Sequence, residues 1–233
     1  MSSILFDSHQ GLGDHLICSG IVREYCKTYD RVGIFCLTRD YPSVSFLYRN
    51  VANLKIHVVK SYGEKYRFRL MNFLRFGKNR YDTVKVIGAY DQESGLLFER
   101  QIYAAAGVPL EKKWSNFSID RDRAREAELI ERTRLSQPYA FVHDDGRYPI
   151  DSVRLPSALR LLRPDKKLTD NMFDYCGIIE QADEIHVIDS SFMFLVDCLP
   201  YANPDQRLFV HRYARLNTPC QMPLLKKNWR ILT

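Results

Sequence analysis

Hydrophobic and polar positions change period in a regular alternation along this chain. Short apolar runs that suit buried strands give way to stretches where apolar residues recur three and four apart, the spacing of one helix face. Ser3 to Ser8 (SILFDS) is the first run, followed by a loop with Gly11 and Gly13. After Asp14, residues Leu16, Ile17, Gly20, Ile21 and Tyr25 fall on one helical face. Arg31 to Leu37 (RVGIFCL) predicts a second strand, Tyr41 to Arg49 a short helix starting near Pro42, and Leu54 to Lys60 (LKIHVVK) a third strand. Gly63 to Phe76 reads as an amphipathic, basic helix and Asp82 to Gly88 (DTVKVIG) as a fourth strand. Gly95 to Ala106 reads as a helix that Gly107 and Pro109 stop.

Leu110 to Asp120 (LEKKWSNFSID) breaks the rhythm and is expected to be a linker. A polar helix, Arg121 to Arg134, follows and ends at Ser136 to Pro138, after which the alternation restarts. Tyr139 to His143 (YAFVH) is a strand running into the loop Asp144-Asp145-Gly146, and Ala158 to Leu162 is a second strand. Asp170 to Ala182 is a helix with Thr169 or Asp170 as its N-cap. Glu184 to Asp189 (EIHVID) is a third strand, Phe192 to Leu199 a helix opened by Ser190-Ser191, and Arg207 to Tyr213 a last strand. The remainder, Ala214 to Thr233, is expected to pack back across the first half. Strands alternating with helices imply right-handed crossovers and parallel sheets. The expected fold class is α/β, with two Rossmann-like, doubly wound domains at residues 1–118 and 119–233.

Composition supports this picture and narrows the chemistry. With 233 residues, 45% apolar and 27% charged, the chain can build real cores and is neither disordered nor fibrous. An excess of 34 basic over 28 acidic residues, +6, favours anionic partners without choosing among nucleotides, sugar phosphates, acidic lipids and nucleic acid. Lys65 to Arg80 and Arg207 to Arg230 are locally basic. No helix-turn-helix, RNP or zinc signature accompanies the charge, so nucleic acid is not an expected partner. The six cysteines include no CxxC pair and read as buried thiols in a reducing cytosol. No apolar run approaches the ~20 residues of a spanning helix, and the start MSSILFDSH is no signal peptide. A cytoplasmic protein, at most peripheral to a membrane, is expected.

Three loops carry candidate chemistry. His9 to His15 (HQGLGDH) ends the first strand, where two glycines permit positive φ or the close approach of a ligand. The helix that follows offers unpaired N–H groups to an anion. A dinucleotide fingerprint needs a third glycine where Ile17 stands, and the Lys-Ser/Thr of a phosphate loop is missing. Asp14 has two readings: a helix N-cap, or a carboxylate that accepts the proton of an attacking hydroxyl. Ser190 and Ser191 can cap their helix or bind a diphosphate, and His186 lies inside the preceding strand. His143-Asp144-Asp145-Gly146 ends a strand at the edge where open parallel sheets bind ligands. Its paired acids suit a tight turn more than a metal site. Lys166 and Asp170 are expected to face that edge.

The Gly11-Leu12-Gly13-Asp14 loop resembles the opening of heptosyltransferase-like GT-B glycosyltransferases, and the stretch TDNMFDYCGIIEQADEIHVIDSSF resembles their donor half. The resemblance implies two lobes facing a cleft, with Asp14 as the base and Gly11, Gly13 and His15 on an acceptor-side loop. It implies Ser190 and Ser191 at the donor diphosphate, with His143, Lys166, Asp170 and His186 in the same pocket. The implied reaction moves a sugar from a nucleotide diphospho-sugar to a glycan or glycolipid hydroxyl, without metal or other cofactor. The rival readings are a non-catalytic nucleotide- or glycan-binding module and an S-adenosylmethionine-dependent methyltransferase.

Overall fold

All five residues of β1 (Ser3–Asp7) are buried, as are residues 32–36 of β2 (Arg31–Leu37). Runs without polar alternation are what a parallel strand covered on both faces requires. The structure is a computed structural model that describes residues 2–9, 11–74, 80–88, 91–136, 138–215 and 219–233. Parts of four expectations lie outside the described residues: Gln10 of the first loop, the Arg75-Phe76 end of the basic helix, Gln137 of the Ser136–Pro138 stop, and residues 216–218 of the C-terminal remainder. The chain divides into two compact units, Met1–Asp120 and Arg121–Thr233.

In the first unit β3 (Leu54–Val59) and β4 (Thr83–Val86) complete an all-parallel sheet of order β3-β2-β1-β4. Helices α1 (Leu12–Ile17) and α2 (Ser19–Thr28) join β1 to β2, and α3 (Tyr41–Leu47) joins β2 to β3. Pro42 sits in the first turn of α3, where a missing N–H leaves no bond unmade. Helix α4 (Tyr62–Phe73) joins β3 to β4, and α5 (Phe98–Ala106) follows. Gly107 ends α5 at φ +70°, a left-handed position that only glycine adopts without strain.

The stretch expected as a linker is part of the first unit. It holds α6 (Lys112–Ser115), packed on α2, and its Lys113 ammonium is fully buried against the equally buried carboxylate of Glu99. A linker would leave both groups in water. A Cβ on Gly20 of α2 would stand 2.1 Å from the Lys112 carbonyl oxygen and 2.8 Å from the Tyr103 hydroxyl. Gly20→Ala is therefore expected to destabilise the first unit by about 2–3 kcal/mol, because backbone must move. Gly177→Ala, whose Cβ would meet a Glu126 carboxylate oxygen at 3.1 Å rather than a backbone oxygen at 2.1 Å, serves as the milder comparison. Thermal unfolding of the two variants checks the difference.

The second unit opens with α7 (Arg123–Thr133) and builds the sheet β6-β5-β7-β8-β9 from β5 (Tyr139–His143), β6 (Arg160–Leu162), β7 (Glu184–Val187), β8 (Arg207–His211) and β9 (Trp229–Leu232). All neighbours are parallel. Helix α8 (Cys176–Gln181) precedes β7, and α9 (Ser191–Cys198) follows it. The crossovers from β5 to β6 and from β8 to β9 carry 3₁₀ turns in place of α-helices, so this unit departs from a full doubly wound layout.

Two further expectations are corrected. The helix expected from Asp170 begins as a 3₁₀ turn, Met172–Tyr175, and its N-cap is Asn171, whose side chain accepts from the Phe173 N–H at 3.2 Å. Thr169 Oγ1 accepts from the N–H of Asn171 itself at 3.1 Å, one step ahead of the turn, and its hydroxyl donates to the buried Asp174 carboxylate at 2.5 Å, which Arg125 and Asn171 also hold. The C-terminal remainder supplies β9, the edge strand of the second sheet. Asp197 of α9 pins it, accepting from the backbone N–H of Lys226 at 2.8 Å and from the Trp229 indole at 3.0 Å. No helix among the described residues is long and apolar enough to cross a membrane.

Strand order marks one point in each sheet where the chain's direction of travel reverses. The first lies between β1 and β4, the second between β5 and β7. In open parallel sheets, loops leaving the carboxyl ends of the strands diverge at such a point, which is where ligands generally bind.

Candidate functional site

At the second reversal point, the last residue of β5 meets the loop leaving β7. His143 Nδ1 and Ser190 Oγ share a hydrogen bond of 3.0 Å, and the imidazole lies against the Phe192 ring with centroids 4.6 Å apart. Burial lowers the His143 pKa to about 4, with the nearby Asp144 and Asp145 charges opposing the shift, so the ring is neutral at pH 7. Ser190 is the N-cap residue of α9 by backbone geometry, yet its side chain makes no capping bond. Its hydroxyl is turned to His143 instead. The first N–H groups of α9 therefore have no side-chain acceptor from the cap, which leaves the helix end electropositive where the loops part. Ser191 is the first residue of this helix.

The acids after His143 form the expected turn. Asp145 Oδ1 accepts from the backbone N–H of Arg147 at 2.8 Å and of Tyr148 at 3.0 Å. Asp144 accepts from the Ile150 N–H at 2.9 Å and pairs with Arg163. Both carboxylates are thus committed to holding the loop. Lys166 and Asp170 are exposed on the loop after β6, one strand further along the same edge. Lys166 lies in a turn that Asp165 organises by accepting from the Lys167 N–H at 2.8 Å.

His186 is not a pocket residue. In the parallel register it pairs with Val142, so it projects from the face opposite to His143. It belongs to a chain of four side chains, three of them buried, whose hydrogen directions follow once Glu184 acts as an acceptor. Glu184 Oε2, held with Arg207 on its other oxygen, requires an N–H at His186 Nε2, 2.7 Å away. Neutral His186 then accepts at Nδ1 from His211 Nε2–H at 2.9 Å, and His211 Nδ1 accepts from the Tyr213 hydroxyl at 3.0 Å. Tyr213 in turn accepts from the Asp151 N–H at 3.2 Å. Burial, then His186 and Arg154, lowers the His211 pKa to about 4 against an opposing Asp144 charge. Burial also lowers that of His186, against Glu184. Sequence reasoning missed this chain because His211 and Tyr213 are 25 and 27 positions from His186 and carry no shared motif.

In the first unit, the cap of α1 is Gly11, in extended conformation at φ −69° and ψ 151°. Asp14, the third helical residue, reaches back so that its Oδ2 accepts from the Gly11 N–H at 3.0 Å. This corrects the N-cap reading: Asp14 is the acidic half of a capping box, which keeps a partly exposed carboxylate at the carboxyl edge of β1. Gly11 does not use positive φ; its lack of a side chain leaves room for Asp14, whose Oδ2 would stand 2.8 Å from a Cβ there and would have to shift. Gly13 lies inside α1, not on the loop. His15 is buried in the same helix, its Nε2 without a hydrogen bond among the described residues and its pKa lowered to about 4 by burial, which does not suit an acceptor-side contact.

Beside this loop stands a group the sequence did not signal. Asp7, wholly buried at the end of β1, pairs with Lys65 and with Arg69, the latter at 3.1 Å. Lys65 also donates to the Ser8 carbonyl at 2.9 Å and so ties the loop to α4. The two cations are four apart on one helix, the only hint available from spacing.

No family model matches the sequence, and no curated protein sequence matches it. Solved structures do. The chain is similar in structure to ADP-heptose LPS heptosyltransferase II of E. coli, with TM-score 0.59 and 12% identity over 100% of this chain and 90% of that one. It is similar to a family 9 glycosyl transferase of Veillonella parvula, with TM-score 0.55 and 8% identity over 90% and 80%. A third, the iron-containing dodecameric glycosyltransferase TibC of enterotoxigenic E. coli, gives TM-score 0.50 and 10% identity over 88% and 62%. At such identities the likeness is one of fold: these parallel α/β units are built like those of heptosyltransferases and family 9 glycosyltransferases.

Proposed function

We propose that this protein is a glycosyltransferase of two-domain GT-B type that moves a sugar from a nucleotide diphospho-sugar to a hydroxyl of a glycan or glycolipid. One observation carries the reading: an electropositive α9 start, with Ser190 turned to a neutral His143, at the β5/β7 reversal point. A donor diphosphate is an anion of the size and charge such a helix start stabilises. When His143 Nδ1–H donates to Ser190 Oγ, the serine O–H is released to point at a phosphate oxygen, and the charge that develops on the leaving group meets fixed dipoles. Asp14 is the general base, its carboxylate aimed by the hydrogen bond it accepts from the Gly11 N–H. The reaction needs no metal or other cofactor in this reading, because Asp144 and Asp145 serve the turn.

The test is a thermal-shift screen against UDP, GDP, ADP, CMP and their sugars, with S-adenosylmethionine as the rival ligand. One nucleoside diphosphate is expected to raise the melting temperature of wild type. Ser190→Ala is expected to weaken that ligand by about tenfold, the loss of one hydrogen bond to a charged group. Turnover is expected to survive EDTA. A shift with S-adenosylmethionine alone, or equal affinity in Ser190→Ala, overturns the donor-site assignment.

A further inference from the structure

Helix α4 is built inside out. Its side toward the first sheet carries Lys65, Phe68 and Asn72: Lys65 is tied to Asp7, Phe68 meets Phe35 edge-on at 5.3 Å, and Asn72 accepts from the Tyr81 N–H at 2.7 Å. The apolar residues face water. Tyr62, Tyr66, Leu70 and Phe73 are 53%, 63%, 56% and 81% exposed. At 100° per residue these four fall within an arc of about 80°, a continuous stripe along a helix about 18 Å long. An amphipathic helix normally turns such a stripe to the core, and an exposed one marks a surface awaiting a partner.

Cations flank the stripe. Lys60, Arg67 and Arg80 are exposed around it, while Glu64, the one acid on the helix, accepts from the Lys60 N–H. Beside Leu70 and Phe73 a groove of about 770 Å³ runs to the edge strand β4, with Val84 and Val86 as apolar lining and Arg80 at its rim. Asp82 of the same groove is turned away to the Ser3 hydroxyl at 2.6 Å.

We propose that α4 is a docking surface for an anionic phospholipid bilayer, with the Tyr62-Tyr66-Leu70-Phe73 stripe in the headgroup–acyl boundary and the flanking cations on lipid phosphates. A helix with aromatic and leucine side chains on one face and Lys and Arg beside them has the chemistry of an interfacial helix. A second copy of the chain would bring a second set of the same cations to this face without supplying the acidic groups they call for, whereas lipid phosphates do. The proposal stands on α4 and β4 alone, whatever reaction the protein performs.

The experiment is co-sedimentation of the full chain with vesicles of equal parts phosphatidylglycerol and phosphatidylcholine, against phosphatidylcholine alone. Wild type is expected to bind the anionic vesicles about tenfold or more tightly, and to be released by salt. Leu70→Ser with Phe73→Ser is expected to weaken binding at least about tenfold. Arg67→Gln with Arg80→Gln is expected to weaken it about fivefold per charge. All four side chains are exposed, so melting temperatures should match wild type and show that the fold persists. Absence of vesicle binding, or binding that both variants retain, overturns the proposal. So does sedimentation velocity showing that the stripe instead holds a dimer that Leu70→Ser/Phe73→Ser dissolves.

Discussion

Thermal stability is expected to fall steeply as pH drops from 6.5 towards 5, before ordinary carboxylates are protonated. The cause is a set of imidazoles folded in the neutral form. His15 and His57 in the first unit, and His143 and His211 in the second, have pKa values lowered from 6.5 to about 4, in each case chiefly by burial. His186 is lowered in the same direction. The sign follows from linkage. In the unfolded chain these groups take up protons near pH 6.5, whereas in the folded protein they resist until about pH 4. Unfolding therefore binds protons in this window, and the stability present above pH 6.5 is progressively lost as pH falls. Each such histidine costs about 2 kcal/mol at pH 5 and about 3 at pH 4. Two or more per unit rival the whole ~5–15 kcal/mol stability of a domain. Calorimetry from pH 7.5 to 4.5 checks this. His15→Met is the informative variant, because it removes a buried imidazole whose Nε2 has no hydrogen bond among the described residues and so should flatten the profile at little cost near pH 7. A melting temperature that is flat from pH 7 to 5, or equal slopes for wild type and His15→Met, contradicts the neutral-imidazole account.

How far the sequence discloses this architecture depends on how local each cause is. Strands β1, β2, β5 and β8 stand within two residues of the boundaries read from apolar runs, because a strand buried on both faces needs no partner to betray it. The expected linker fails for the opposite reason. Lys112-Lys113 reads as solvated charge, while the buried carboxylate that accepts Lys113 is Glu99, fourteen positions upstream. Strand β9 fails likewise: four residues at a sheet edge carry little pattern, and their anchor is Asp197, about thirty positions before. Among the candidate residues, Ser190 stands where the sequence pattern puts it, at the turn between strand and helix. His143 is placed near it in the sequence only by the family resemblance; the sheet order β5-β7 is what brings the two side chains into contact. His186 shows the limit of reading a strand without its register. Whether it lines the ligand edge or the opposite face turns on its pairing with Val142, which no spacing within β7 reveals.

Asp14→Asn is expected to leave nucleotide affinity unchanged and to slow sugar transfer, or hydrolysis of the donor, by about 10²–10⁴. The substitution suits the question because the carboxylate has two jobs that asparagine separates. Asparagine keeps an oxygen for the Gly11 N–H, so the start of α1 survives, and losing the charge from that bond costs about 1 kcal/mol of stability. Asparagine cannot take a proton from an attacking hydroxyl. A structural cap alone therefore predicts a small drop in melting temperature with unaltered turnover, whereas a base predicts the same small drop with turnover nearly abolished. Gly11→Ala probes the same carboxylate without touching its charge. Its Cβ would stand 2.8 Å from Asp14 Oδ2, so the carboxylate must swing away and transfer should fall while the protein still binds nucleotide. Wild-type rates in Asp14→Asn, measured with the donor that the ligand screen identifies, remove Asp14 from the chemistry and return it to capping. The assignment of Ser190 and His143 to the diphosphate is untouched by that outcome, since it answers to affinity and not to rate.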